Sequence, residues 1–168
     1  YDYSLIAGSA FLLSKRVPKT GVFAPAFTDG LFKLLSTDTN TYYDFFFSDE
    51  AFSKNSVYLS RKSDIGYSMQ NREYLAPLFS QQAERRPTGF RYYAKNGKIY
   101  NYELAETQAK SDAHAFIEAR LKILGEAEEK AGLQNPFSIM FLPHNSLGFK
   151  WREGFIWLEE VFKRIDAI

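Results

Sequence analysis

The chain has 168 residues, 45% hydrophobic and 24% charged, with a formal net charge of +1. It can bury one core of ordinary size, and its charge balance by itself implies neither a nucleic-acid partner nor an acidic disordered tail. The absence of cysteine excludes disulfides, thiolate zinc sites and a cysteine nucleophile, and no apolar run is long enough to cross a bilayer.

In chain order, residues 3–16 are apolar without a clear period and fit either helix or strand. Val17 to Gly21 reads as a turn around Pro18. A helix is expected over 27–35, capped by Thr28 or Asp29, with Leu31, Leu34 and Leu35 facing inward. After a polar loop, Tyr42–Phe47 and Val57–Ser60 read as strands. A helix near 71–84 follows, interrupted or delayed by Pro77.

The second half is better punctuated. Phe90–Ala94 and Lys98–Leu104 flank Asn96-Gly97, the dipeptide of a two-residue type I′ turn. That predicts a hairpin over about 90–104 with Tyr93 opposite Tyr100. A helix over 111–131 turns Ala113, Phe116, Ile117, Leu121, Leu124 and Ala127 inward, with Gly132 as its C-terminal cap and Asn135-Pro136 as its stop. Phe137–Leu142 reads as a buried strand. The last helix, over 153–165, puts Phe155, Leu158, Phe162 and Ile165 on one stripe and its charges largely outside.

The fold class is therefore α+β: a single domain over 1–168 whose mixed or antiparallel sheet holds the hairpin and 137–142 and is packed by these helices. A chain that starts at Tyr1 without Met reads as a processed product or a piece of something longer.

The stretch from Arg85-Arg-Pro-Thr-Gly-Phe-Arg91 to Glu103-Leu-Ala-Glu-Thr-Gln108 resembles, in outline, the core of the restriction-endonuclease-like PD-(D/E)xK nucleases. The resemblance covers residues 84–142. It implies two carboxylates gathering Mg²⁺ and a Lys orienting the attacking water. Thr88 stands where the metal-binding Asp belongs. The acid-x-Lys element would be Glu106-Thr-Gln108 or Glu103-Leu-Ala105, with Gln or Ala in place of Lys. What the resemblance implies is thus a degenerate, nucleic-acid-associated module without the family's metal chemistry.

Two residue groups stand out as candidate sites. Arg91, Tyr93, Tyr100 and Tyr102 share one face of the expected hairpin, with Lys95 and Lys98 near its tip. Such a face stacks bases and pairs phosphates, or grips a peptide or sugar, though Tyr93–Tyr100 pairing also stabilises a hairpin without any ligand. His144 and Asn145 lie in the loop leaving 137–142, a place favoured for ligands, with His144 as general base and Asn145 or Ser146 as hydrogen-bond donor. His114, four residues before Glu118, reads as a helix-flank contact rather than a metal pair. No phosphate-cradling or dinucleotide motif occurs, so neither a cofactor nor a metal is expected.

Taken together, these features lead to the expectation of a non-catalytic ligand-sensing or protein-interaction domain. Its partner would be a small ligand or a protein, its compartment periplasmic or extracellular rather than cytoplasmic, and any membrane contact would come through segments outside this chain. The alternatives are the nucleic-acid module and a small enzyme using His144.

Overall fold

The computed structural model describes residues 3–38, 48, 51–68, 77, 87–142 and 145–168. The first apolar stretch divides between two kinds of structure. Tyr3–Ile6 forms strand β1, and the chain then enters a short helix α1, Gly8–Leu12, which buries Phe11. The Val17–Gly21 turn forms as anticipated: the Gly21 N–H donates to the Pro18 carbonyl at 2.9 Å, and Gly21 takes φ 57°.

The helix expected over 27–35 is instead a pair of strands, β2 (Ala26–Phe27) and β3 (Lys33–Ser36). Thr28 does cap, but it caps a turn. Its hydroxyl accepts from the Phe32 N–H at 3.2 Å, and its own N–H donates to the Phe32 carbonyl at 3.0 Å. Leu31 sits at φ 60°, a left-handed backbone that a helix cannot continue through. The three strands run in the order β1-β3-β2, with β3 parallel to β1 and antiparallel to β2. Pairing with β1, about 30 residues upstream, supplies the ladder that outweighs the local helical spacing.

Past β3, Thr37 makes one parallel bridge to Ile139, and the Asp38 N–H donates to the Ile139 carbonyl at 2.9 Å. Phe137–Leu142 therefore runs beside β3, but the buried inner strand needs correcting. Among the described residues its contact is a single bridge, its residues are half-buried, and Phe141 is exposed. Pro136 has no N–H to give, and the Phe137 N–H is spent on the Phe23 carbonyl, outside any ladder. The regions expected as the strand 42–47 and the helix 71–84 lie outside the described residues, apart from Pro77.

The hairpin forms with a different turn, and among the described residues it does not pair with the three-stranded sheet. The Gly97 N–H donates to the Ala94 carbonyl at 3.0 Å, the Ala94 N–H to the Lys98 carbonyl at 2.8 Å, and Gly97 has φ 79° while Asn96 stays at negative φ. This is a three-residue loop with glycine in the left-handed position, not a type I′ turn. Tyr93 accordingly faces Ile99, and the Tyr100 N–H donates to the Tyr92 carbonyl. Asn101 ends the second strand by capping a helix: its side chain accepts from the Leu104 N–H at 3.0 Å.

A helical segment α2 covers Ile65–Ser68. The helix that Asn101 caps is α3, Tyr102–Ala131, which starts nine residues before the expected 111 and ends where Gly132 takes φ 62°. The last helix, α4, spans Gly154–Ile165, close to expectation. The core lies between these two helices. Ala105, Ala109 and Ala113 make a flat stripe on α3, and the space opposite is filled by large rings. Phe52, Phe116, Trp157, Trp151 and Tyr58 follow one another at centroid spacings of 6.4, 5.1, 5.8 and 5.5 Å.

On α4 the buried side chains are Trp157 and Val161, whereas Phe155, Phe162 and Ile165 are more than half exposed. The inward stripe thus lies one position around the helix from the one expected. The two tryptophans need the deepest space, and they decide the rotation.

Candidate functional site

Three elements converge beside this aromatic core: the segment 56–64, the hairpin strand 90–95 and the loop 145–153. The first two pair antiparallel, through the Leu59–Ala94 and Asp64–Arg91 bridges. The Ser60 N–H donates to the Tyr93 carbonyl and the Ile65 N–H to the Phe90 carbonyl. Arg61, Lys62 and Ser63 therefore stand opposite the single residue Tyr92. The two extra residues form a bulge, closed by Ser63 Oγ donating to Ser60 Oγ at 2.9 Å. A bulge re-aims a side chain, and here it carries Arg61 to the surface.

The loop Asn145–Glu153 follows the parallel segment at Ile139, on the carboxyl side that ligand sites favour in such sheets. It is tightly built. The Lys150, Trp151 and Gly148 N–H groups donate to the Asn145, Ser146 and Trp151 carbonyls at 3.3, 3.0 and 2.8 Å. Ser146, Trp151 and Glu153 are buried, whereas Asn145, Phe149 and Lys150 face outward. Glu153 ties the loop to the bulged strand, since its Oε1 accepts from the Leu59 N–H at 3.0 Å. Two residues beyond that contact, the Arg61 guanidinium lies 4.1 Å from the centroid of the Phe149 ring.

Behind the loop lies a buried polar cluster. The Tyr58 hydroxyl donates to Asp112 Oδ2, and Gln108 Nε2 donates to Asp112 Oδ1 at 2.7 Å. Burial raises the Asp112 pKa, opposed by these two hydrogen bonds. Burial, then the Asp112 contact, push the Tyr58 phenol up, so it stays a neutral donor. Tyr100 is pushed up by burial and by Glu153. Lys95 is pushed down by burial, with Glu153 partly compensating.

The residues picked from sequence are dispersed by this geometry. The one-residue change in hairpin register puts Tyr93 and Tyr100 on different faces, and Tyr102 has become the first residue of α3. Tyr93 and Tyr102 are exposed, Arg91 and Tyr100 half-buried. Tyr100 lies under the Arg152 guanidinium, 5.6 Å from its ring centroid. Asn145 is exposed at the start of the loop, and His144 lies outside the described residues. His114 meets Glu160 of α4 at 3.2 Å rather than Glu118.

The nuclease resemblance fails on contacts. Thr88 gives its N–H and its hydroxyl to Asp64 Oδ1 at 2.9 and 2.8 Å, and the Gly66 and Gly89 N–H groups complete that carboxylate's partners. Burial alone would raise the Asp64 pKa, but these donors hold it below its usual value. Asp64 is a loop tether with its acceptors taken up. Glu103 and Glu106 sit on α3 instead of a strand. Of the hairpin cations, Lys95 is engaged within the molecule: its ammonium donates to the Ser53 carbonyl and lies over the Tyr58 ring. Among the described residues no cluster of three or more His, Asp or Glu could hold a metal ion.

Sequence reasoning passed over Tyr58, Arg61, Asp112, Phe149 and Glu153. No spacing marks them, because their chemistry comes from contacts across 54 to 94 residues.

The chain matches no protein-family model and no curated protein by sequence. Solved structures do share its fold. The α-amylase AmyC of Thermotoga maritima superposes on 99% of this chain with a TM-score of 0.84 at 18% identity. A GH57 branching enzyme of Thermococcus kodakaraensis, solved with glucose, gives 0.74 at 16% identity over 98% of the chain. A GH57-type branching enzyme of Pyrococcus horikoshii gives 0.73 at 16% identity over 99%. The chain spans about a third of the length of these structures, covering 33%, 30% and 27% of them. A fold shared this closely with carbohydrate-active enzymes overturns the expectation of a non-catalytic ligand-sensing or interaction domain. It overturns the nucleic-acid alternative as well.

Proposed function

We propose that this chain is part of a carbohydrate-active enzyme working on α-linked glucans, and that its loop Asn145–Glu153 and the bulged strand beside it belong to the sugar-contacting surface. The observation that carries this reading is the superposition of nearly the whole chain on an α-amylase and two branching enzymes. The position of the loop, on the carboxyl side of a parallel segment, agrees with it. Asn145 keeps its place in this proposal, as an exposed amide at the loop's entrance.

Chemistry at a glycosidic bond needs one carboxylic acid to protonate the leaving oxygen and a second carboxylate as nucleophile or base, about 5–9.5 Å apart. Four buried carboxylates already hold partners within the molecule. Asp64 is saturated by N–H and O–H donors, and Asp112 is bonded to Tyr58 and Gln108. Glu153 holds the Leu59 amide. Asp38, at the end of β3, is paired with Arg120 at 2.7 Å and accepts from Ser138 at 3.1 Å. These acids act as scaffolding in the proposal, and the reacting pair falls to residues other than these.

The test is to incubate the protein with amylose and amylopectin, following reducing-end release and branch content, and to titrate it with maltoheptaose. Binding accompanied by cleavage or transfer is the expected result. Neither binding nor turnover on any of the three glucans retires the reading.

A further inference from the structure

We infer that Phe149 and Arg61 form a glucosyl-contact platform, kept in register by the buried Glu153 carboxylate. The inference rests on the glucan reading above and narrows it to one surface.

Phe149 presents a flat apolar ring to solvent, 58% exposed, on a loop whose backbone is closed by three hydrogen bonds. A large ring held outward by a rigid turn offers contact area at little further cost in conformational entropy. Arg61 reaches it only because the strand bulges, and its guanidinium carbon lies 4.1 Å from the ring centroid. A glucose ring has an apolar C–H face and a rim of hydroxyls. The ring face that Arg61 leaves uncovered suits the first, and the N–H donors of the guanidinium stacked on the opposite face suit the second. The exposed Asn145 amide, in the same loop, adds a donor and an acceptor. A neutral oligosaccharide asks for this mixture, whereas a polyanion asks for several free cations.

Glu153 is a positioning residue in this arrangement. It is 1% exposed and cannot touch the sugar, but its bond to the Leu59 N–H joins the platform's two halves, two residues from Arg61 and four from Phe149. Gly148 and Gly154 are part of the same construction. A Cβ on Gly148 would meet the Phe155 ring at 2.5 Å, and one on Gly154 would meet Leu147 Cδ2 at 2.7 Å.

Titration calorimetry with maltoheptaose tests the platform on the wild-type protein and on Phe149→Ala, Arg61→Ala, Glu153→Ala and Glu153→Gln. Loss of the ring should weaken binding about tenfold or more, and loss of the guanidinium several-fold. Glu153→Ala should weaken binding and shift the emission of the adjoining Trp151. Glu153→Gln keeps an oxygen for the Leu59 amide and should restore both readouts. Wild-type binding with Phe149→Ala indistinguishable from it overturns the platform and leaves the glucan reading standing. A wild-type protein that ignores maltoheptaose removes the reading and the platform together. Phe149 and Arg61 are exposed, so their variants fold independently of the outcome.

Discussion

At the scale of single residues, two buried carboxylates pull stability in opposite directions with pH. Asp64 is an acceptor for three backbone N–H groups and one hydroxyl, and its folded pKa lies below the ordinary 3.8. Its contribution is fully present above that value and is lost as pH falls through the depressed one. Asp64→Asn turns an amide donor towards one of those N–H groups, and should cost about 2 kcal/mol at neutral pH. The gap from wild type should close in strong acid. Denaturant melts at pH 7 and pH 2.5 measure it, and an equal gap at both would show that the charge is irrelevant.

Asp112 behaves in the reverse sense. Burial raises its folded pKa, so the folded state holds the proton more tightly than the unfolded chain does. Stability from this group is greatest below pH 3.8 and declines as pH rises towards the folded value. Asp112→Asn should remove that decline, so its melting temperature relative to wild type should climb between pH 4 and pH 7. Parallel curves would contradict the assignment.

At the scale of elements, glycine positions separate backbone strain from crowding. Gly97 and Gly148 both lie at positive φ, 79° and 76°. A Cβ on Gly97 meets nothing within 4 Å, so Gly97→Ala should cost only the left-handed penalty of about 1 kcal/mol. Gly148→Ala adds a collision with Phe155 and should cost about 3 kcal/mol. Combining it with Phe155→Ala should return part of that loss, a coupling that a double-mutant cycle reads directly. The Asp38–Arg120 pair is a second junction, linking the end of β3 to α3 with side chains 3% and 11% exposed. Asp38→Leu takes a carboxylate away from a buried guanidinium, and about 3 kcal/mol of destabilisation is expected in urea melts.

At the scale of the whole molecule, a formal charge of +1 does not decide between neutral sugar and nucleic acid as a ligand, and the salt dependence of binding does. Binding that releases counterions falls steeply with salt, and contact with an uncharged glucan does not. Maltoheptaose affinity should therefore change less than about twofold between 50 and 500 mM salt. A steep negative slope would point to an ionic partner instead. α3 and α4 also leave an apolar groove of about 440 Å³ between them, floored by Phe116, Leu124 and Met140 and flanked by Phe162 and Ile165. It lies on the exposed side of α4, the side that the sequence pattern had assigned to the core.

Much of the second half was legible because local chemistry is decisive there. Asn96-Gly97 specifies a reversal, Gly132 a helix end, and residues 154–165 an amphipathic helix, whatever surrounds them. The finer geometry was not legible. A turn with one left-handed residue or with two reads alike in Asn-Gly, and that difference moves every hairpin side chain to another partner. Thr28-Asp29 offers the same hydroxyl and carboxylate to a helix cap or to a turn, and only β1 arriving beside residues 33–36 chose the turn. The Tyr58–Asp112 and Leu59–Glu153 contacts join residues 54 and 94 apart, with no period to betray them. Composition and punctuation determined that this chain builds an α+β core without cysteine chemistry. Which carboxylates became scaffolding, and which aromatic was left facing solvent beside an arginine, was decided by packing between distant segments.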